Sequence, residues 1–167
     1  GGSTGDMEGE IFLESFRQFK QEFGKDVLHI HLGYVPFLKC SGEYKTKPIQ
    51  NSNRELLKMG WQPDIVVARY YQERGRKLSK EILNKIALFS NLPKGNVISL
   101  PDLESIYSVP VYLKDSNLKE ILEKFTSYNL NINLPDFYNK IAFYKKIEQE
   151  VKIGIIAKYP KLIDAYL

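Results

Sequence analysis

Apolar and polar positions along the chain predict strands and helices that alternate. Residues 28–36 (LHIHLGYVP) alternate in polarity and end at a proline, which predicts a strand. Residues 65–68 (IVVA) form a short unbroken apolar run, typical of a strand buried on both faces of a parallel sheet. Residues 97–100 (VISL) predict a further strand. With helices between them, these strands favour right-handed βαβ units and an α/β fold.

An aromatic stripe marks the first predicted helix. Phe12, Phe16, Phe19 and Phe23 recur at three- and four-residue spacing, and Gly24 offers a C-terminal stop. Such a stripe is more often a core face than a cofactor site. We therefore expect these rings to be buried.

Capping residues predict where the later helices begin. Ser52 and Glu55 form a Ser-x-x-Glu capping box, which predicts a helix that ends at Gly60. Ser79 can cap a helix carrying Ile82, Ile86 and Phe89. Further helices are expected from Ser116 to Phe125 and from Pro135 through Ile147.

Composition narrows the class of protein. The 167 residues are 43% hydrophobic and 26% charged, as in an ordinary soluble domain. No apolar run approaches a membrane span, and no secretory signal heads the chain, so we expect a cytoplasmic protein without a membrane partner. The single cysteine, Cys40, fits a reducing compartment and has no motif that would activate it as a nucleophile.

The net charge of +4 raises the question of nucleic acid, but basic and aromatic residues are not interleaved on one face. We therefore expect no nucleic-acid partner. Two basic clusters stand out. The cluster at residues 74–77 (RGRK), with Lys80 behind it, is typical of a solvated loop and receives no catalytic role.

The other cluster is the hexad Lys45-Thr46-Lys47-Pro48-Ile49-Gln50. It lies between the first strand and the capping box, on a strand-to-helix loop where open α/β sheets usually bind ligands. Two ammonium groups close together attract a multiply charged anion. The residues alone indicate a phosphate site, with an exposed basic turn as the alternative.

Gly42-Glu43 and the hexad resemble the Gly-Glu-x-Lys-Thr-Lys-Pro-Thr-Gln signature of CTP synthase. Residues 1–8 (GGSTGDME) resemble the Gly-Gly-Thr-Val-Gly-Asp-Ile-Glu loop of that family. The other matching segments follow in the same order: 12–18, 54–56, 62–65, 85–89, 97–103, 105–110 and 151–159. The resemblance therefore spans nearly the whole chain.

Several parts of that family are missing from this sequence. No Gly-x-x-x-x-Gly-Lys-[Ser/Thr] P-loop occurs, and the family's magnesium-binding carboxylates lie upstream of Gly1. The glutaminase cysteine would lie beyond Leu167. The resemblance thus implies a fragment that is inactive alone, with a doubly wound, mostly parallel sheet of the P-loop NTPase-like type, incomplete at its N-terminal side.

The same resemblance implies domain limits. Residues 1–114 would be the C-terminal half of the synthetase (amidoligase) domain. Residues 115–150 would be a helical linker, and residues 151–167 the start of a class I glutamine amidotransferase domain. In that last segment Ala157 replaces a glycine of the family.

Family membership would imply an activity and partners. In this family ATP phosphorylates the 4-oxygen of UTP, and ammonia taken from glutamine displaces the phosphate to give CTP. The implied partners are UTP, CTP, ATP, glutamine and GTP as an activator, with Mg2+ accompanying ATP. The implied assembly is a homotetramer with nucleotide sites where subunits meet.

The resemblance implies roles for the residues of this sequence that match the family's site positions. The UTP/CTP-binding set is Lys45, Thr46, Lys47, Pro48, Ile49, Gln50, Lys85, Asp6, Met7 and Glu8. The ATP-binding set is Pro101, Asp102, Leu103 and Arg69, the last expected just after a strand. No metal ligand and no catalytic residue is assigned within the chain.

Structural alternatives accompany some of these roles. Asp102 could be a helix N-cap, Asp6 and Glu8 a solvated loop favoured by a helix dipole, and Lys85 an ordinary surface lysine. His29 and His31 share a strand face without a third ligand nearby, so we expect sheet or interface residues rather than a metal site.

One departure from the family lies inside the hexad, where Ile49 replaces a threonine and removes a hydroxyl.

The alternative function, from another class, is a non-catalytic nucleotide-sensing or assembly module derived from the same fold.

Overall fold

A computed structural model describes residues 4–131, 134–144, 146, 151–154, 156 and 158. By its internal contacts the chain divides into two units, residues 1–133 and residues 134–167. Most of the segment predicted to open a glutaminase domain, including Ala157, lies outside the described residues. The predicted domain limits stay predictions.

The first unit alternates helices and strands, as the sequence predicts. Its helices are α1 (Met7–Phe23), α2 (Lys47–Lys58), α3 (Lys80–Phe89), α4 (Val109–Lys114) and α5 (Leu118–Thr126). Its strands are β1 (Ile30–Tyr34), β2 (Phe37–Leu38), β3 (Glu43–Tyr44), β4 (Ile65–Tyr70) and β5 (Val97–Pro101). In the second unit, α6 (Pro135–Tyr144) begins at the predicted proline.

The main sheet has three parallel strands in the order β1-β4-β5. Ile30 pairs in register with Ile65, and Val66 with Val97. Strands β2 and β3 form a separate antiparallel hairpin. This confirms a mixed α/β fold with a parallel sheet, while the doubly wound, P-loop NTPase-like type stays a prediction.

Helices cover both faces of β4, which is why its first four residues are buried. On one face Val66, Ala68 and Tyr70 pack in a core that α2 and α3 complete with Ile49 and Ile86. On the other face, the apolar side chains of β4 and β5 pack against residues of α4 and α5, among them Val109, Tyr112, Leu118 and Ile121. A continuous apolar strand between two helical layers is the arrangement that the run at residues 65–68 predicts.

The aromatic stripe of α1 was expected in the core, and this is wrong. Helix α1 has no buried residue, and Phe12 is 65% exposed. Phe16 meets Trp61 with ring centroids 5.7 Å apart, and Phe19 meets Phe23 at 4.3 Å. The spacing does produce an apolar helix face, but the described residues leave each of its four phenylalanines between 44% and 65% exposed.

The second helix begins five residues before the predicted capping box. Thr46 is the N-cap of α2 and Pro48 lies in its first turn, where the missing N–H and fixed φ of proline are tolerated. Ser52 instead lies inside the helix, and its hydroxyl meets His31 Nε2 at 2.9 Å. The prediction at Ser79 is confirmed, because its side chain accepts a hydrogen bond from Ile82 N at 3.3 Å.

No helix in the described part of the chain is long and apolar enough to cross a membrane.

Candidate functional site

The candidate residues gather where the parallel strands end. Strand β1 is followed by the β2–β3 hairpin, and the hairpin leads directly into α2. Parallel strands place their carboxyl ends at one edge of the sheet, where open α/β sheets bind ligands. The hexad is therefore not a simple loop: Lys45 follows the hairpin, Thr46 caps α2, and the other four residues form its first turn.

Two residues of the hexad hold each other in place. Gln50 Nε2 donates to Thr46 Oγ1 at 2.8 Å, and both side chains are buried. The amide of Gln50 also donates to the Thr46 carbonyl at 3.0 Å. These bonds fix the first turn of α2, so Thr46 and Gln50 orient the basic residues beside them.

The lysines of the hexad are accessible. Lys47 is exposed, and the Lys45 ammonium forms an ion pair with the carboxylate of Glu43 on β3. This hydrogen bond and the charge of Lys45 hold the pKa of Glu43 below its ordinary range, with smaller contributions from Ser41 and from the charge of Lys85. Lys85 is exposed on α3, and its charge makes a small contribution to lowering the pKa of Glu43.

Ile49 is a core residue of α2, with 1% of its surface exposed. A Cβ built on Gly33 would overlap the Ile49 side chain, with Cδ1 only 2.7 Å away. The side chain at position 49 thus packs against the backbone of β1. The structure adds a packing role for the isoleucine, while its place in the nucleotide-binding set stays a prediction.

A cleft of about 420 Å³ lies between the start of the chain and α2. Its lining residues include Thr4, Gly33, Tyr34, Pro48 and Glu55. A Cβ built on Gly5 would lie 3.5 Å from Glu55 Cγ, which shows how closely the two segments approach.

The acidic segment, residues 6–8, follows closely after Thr4, which lines this cleft. Asp6 is the N-cap of α1 by its backbone conformation, without a side-chain capping bond, and Met7 and Glu8 are exposed in the first turn. A favourable helix dipole and a ligand contact both remain compatible with these positions.

The predicted ATP-binding residues form a second group at the same edge. Arg69 Nε donates to Asp102 Oδ1 at 2.6 Å, and the Asp102 amide donates to the Tyr70 carbonyl at 2.8 Å. Arg69 lies within β4 rather than after it, in register with Tyr34 and Leu100.

The neighbours of Asp102 complete this group. Pro101 ends β5, and Leu103 is half-buried. Asp102 caps no helix, because the next helical turn, Ile106–Ser108, is capped by Ser105. The N-cap alternative for Asp102 is therefore wrong.

Sequence reasoning missed Arg76, which it assigned to a solvated loop. Its Nη1 donates to the Gly42 carbonyl at 3.0 Å, and its guanidinium carbon lies 5.7 Å from the ring centre of Phe37. No local sequence motif predicts these contacts, because they join residues more than thirty positions apart.

His29, just before β1, and His31, within β1, are both buried, and His31 Nε2 meets Ser52 of α2. Their rings lie 6.4 Å apart, and the His29 ring packs against Trp61 at 4.1 Å. Burial, reinforced by the charge of His29, lowers the pKa of His31 to about 4. Within the described residues no group of three His, Cys, Asp or Glu side chains is placed to hold a metal ion.

The sequence is similar to those of known proteins of one family. The family described as "CTP synthase N-terminus" matches residues 1–127. A CTP synthase of Carboxydothermus hydrogenoformans is 46% identical over 100% of the chain. Those of Aquifex aeolicus and Aeropyrum pernix are 42% and 40% identical over 99% and 100% of it. The chain spans about a third of the length of these curated relatives, 31% in each case.

Proposed function

The chain belongs to the CTP synthase family, and from that membership we propose that it is part of a glutamine-hydrolysing ligase that converts UTP to CTP. In this proposal the described segment supplies UTP- and CTP-binding elements, and the rest of the enzyme supplies the ATP cradle and the glutaminase. The isolated segment is then inactive, and the active form is a homotetramer.

One observation carries the proposal. Lys45 and Lys47 lie at the start of α2, at the carboxyl edge of the parallel sheet. Lys45 pairs with the Glu43 carboxylate, and the charge of Lys85 also acts on that carboxylate. The backbone N–H groups and the dipole at the start of a helix add to the attraction for anions. A triphosphate is a ligand suited to several cations grouped in this way.

Glu43 has a part in this site as the resident partner of Lys45. A triphosphate that reaches Lys45 must compete with the Glu43 carboxylate, whose ionised form the Lys45 contact favours. A ligand with more negative charge than one carboxylate wins that competition. We therefore assign Lys45 to the phosphates, and Thr46 and Gln50 to holding the turn that presents the lysines.

The chemistry proposed for the whole enzyme balances as follows. The 4-oxygen of UTP attacks the γ-phosphorus of ATP, and ADP leaves. Ammonia then adds to C4 of the uracil ring, loses a proton, and phosphate departs with the former 4-oxygen to give CTP. The segment binds the nucleotide and orients it.

The ion pair between Arg69 and Asp102 supports a role beside ATP. A planar guanidinium held by a carboxylate at 2.6 Å has a fixed face that can stack on an adenine ring. The Arg69 side chain is 45% exposed beside this ion pair.

The test uses the complete protein that contains this chain, supplied with UTP, ATP, magnesium and ammonia. We expect CTP formation by the wild type. Lys45→Ala should raise the KM for UTP by about 10- to 100-fold, because it removes a charge-assisted hydrogen bond worth roughly 1.5–3 kcal/mol. Lys39→Ala is the matched control, since Lys39 is an exposed lysine between β2 and β3.

Two results would reject parts of this proposal. Equal effects of Lys45→Ala and Lys39→Ala would remove the specific role of the hexad. A folded wild type that binds UTP or CTP without turnover would favour the non-catalytic sensing module.

A further inference from the structure

The loop that follows β4 packs against the hairpin that leads to the hexad. Arg76 reaches the hairpin from this loop, with its Nη1 donating to the Gly42 carbonyl at 3.0 Å. The same guanidinium lies over the Phe37 ring, 5.7 Å from its centre, within the range of a cation–π contact. One side chain thus contacts both ends of the hairpin.

A second contact runs in the opposite direction, from the hairpin to the loop. The Tyr44 hydroxyl lies 3.0 Å from the carbonyl oxygens of both Tyr71 and Arg76, and donates to them as a shared hydrogen bond. The Tyr44 ring also packs edge-on against Phe37 at 5.1 Å and against the fully buried Tyr70 at 5.5 Å. Tyr44 therefore ties the hairpin to the loop and to the core.

The residue next to Tyr44 is Lys45, the first cation of the hexad. The Lys45 amide donates to the Pro36 carbonyl at 2.9 Å, so the backbone of Lys45 is held by the opposite side of the same hairpin. Any movement of the hairpin would move Lys45 directly. Since α2 starts two residues later and is fixed by its buried residues, the hairpin is the part of the site that depends on outside support.

We infer that Arg76 and Tyr44 are positioning residues that clamp the hairpin and so hold Lys45 ready for the phosphates of the nucleotide. This inference rests on the proposed function for its ligand, and on the contacts of Arg76 and Tyr44 for its geometry. A cation already held in place loses less conformational entropy when the anion binds. The clamp therefore acts on nucleotide affinity, not on the chemical step.

The test has two independent readouts on the complete protein. Amide hydrogen exchange over residues 42–45 reports the hairpin, and CTP formation with ammonia reports the site. We expect Arg76→Ala and Tyr44→Phe each to speed exchange at the Lys45 amide by about tenfold and to raise the KM for UTP by a similar factor, the effect of one lost hydrogen bond. The kcat and the KM for ammonia should change less than about twofold.

Two variants separate the clamp from a general effect on folding. Arg76→Lys keeps a donor and a cation above Phe37, so it should restore most of the affinity. Arg74→Ala removes the same kind of side chain from the same loop, where Arg74 is 89% exposed, and should match the wild type in both readouts.

Each outcome supports or overturns the clamp or its link to nucleotide affinity. Unchanged exchange at Lys45 in Arg76→Ala and Tyr44→Phe overturns the clamp, whatever the activity. Faster exchange with an unchanged KM for UTP overturns the link to the nucleotide. If the wild type makes no CTP, the proposed function fails on its own, and the exchange data still support or overturn the clamp.

Discussion

Helices α1 and α2 are both amphipathic, and Gly5, just before α1, lies close to Glu55 of α2, yet the two helices differ in what covers them. Helix α2 buries Ile49, Asn53 and Leu56, whereas α1 buries no residue. Helical periodicity therefore reveals an apolar face but not whether another element covers it.

The contacts of the two helices explain the difference. Helix α2 lies against β1 and α3, where Asn53 Nδ2 donates to Ser90 Oγ at 2.6 Å in the interior. Helix α1 is attached to the sheet region at fewer points. These include an ion pair between Lys20 and Asp64 and the ring contact of Phe16 with Trp61.

The largest expected effect tests this difference directly. Leu56→Ala, at a side chain 1% exposed, should lower the free energy of unfolding by about 2–5 kcal/mol, because it leaves a cavity. Phe12→Ala, at a ring 65% exposed, should change it by less than about 0.5 kcal/mol. Urea denaturation of the 167-residue chain measures both.

A similar loss from the two substitutions would contradict the comparison. It would mean that the apolar face of α1 is covered in solution, for example by another copy of the chain. Sedimentation of both variants would then distinguish association from an intrinsic effect on folding.

A smaller effect concerns the interface of β1 with α2, where His31 contacts Ser52. The pKa of His31 is lowered to about 4 by burial and by the charge of His29, so between pH 6.5 and 4 the unfolded chain binds the proton more readily. Stability is therefore complete above pH 6.5 and falls as the pH falls toward 4.

The comparison with His31→Gln isolates this contribution. Between pH 7 and pH 5 the wild type should lose about 2 kcal/mol more stability than the variant, as measured by urea denaturation at each pH. Parallel pH profiles would show that His31 is protonated in the folded protein near its ordinary pKa.

The smallest expected effect lies on α1. Lys20→Met keeps the apolar stem but removes the ion pair with Asp64, and should cost about 0.5–1 kcal/mol at low salt, with less loss at high salt. Lys25→Met, at an exposed lysine just after α1, is the control. An equal cost at both positions would mean that total charge, and not the Lys20–Asp64 contact, attaches the helix.

Much of the fold could be predicted from local patterns. The apolar run of β4 and the cap at Ser79 each reflect forces acting within a few residues. The start of α2 was misplaced because Ser52 and Glu55 satisfy a capping pattern inside a helix that Pro48 had already opened. The exposure of α1 could not be predicted, since it depends on tertiary partners.

The candidate site also contains residues that a local motif predicts and residues that only tertiary contacts bring together. The lysines of the hexad lie two positions apart in sequence, so a linear motif was enough to find Lys45 and Lys47. The pairing of Arg69 with Asp102 and the contacts of Arg76 join distant segments, and only the folded chain brings them together. The burial of Ile49 was likewise invisible, because the register of α2 on β1 decides which residues of its first turn face inward.

Because Gly33 and Ile49 are in contact, the residues that these two positions can accept depend on each other. Because a Cβ at position 33 would overlap the isoleucine, a larger residue at position 33 is acceptable only together with a smaller one at position 49. Truncation of position 49 to alanine would remove the γ and δ carbons that a Cβ at position 33 would meet, and would leave the two Cβ atoms 3.3 Å apart. Variation at one position therefore sets which residues the other can accept.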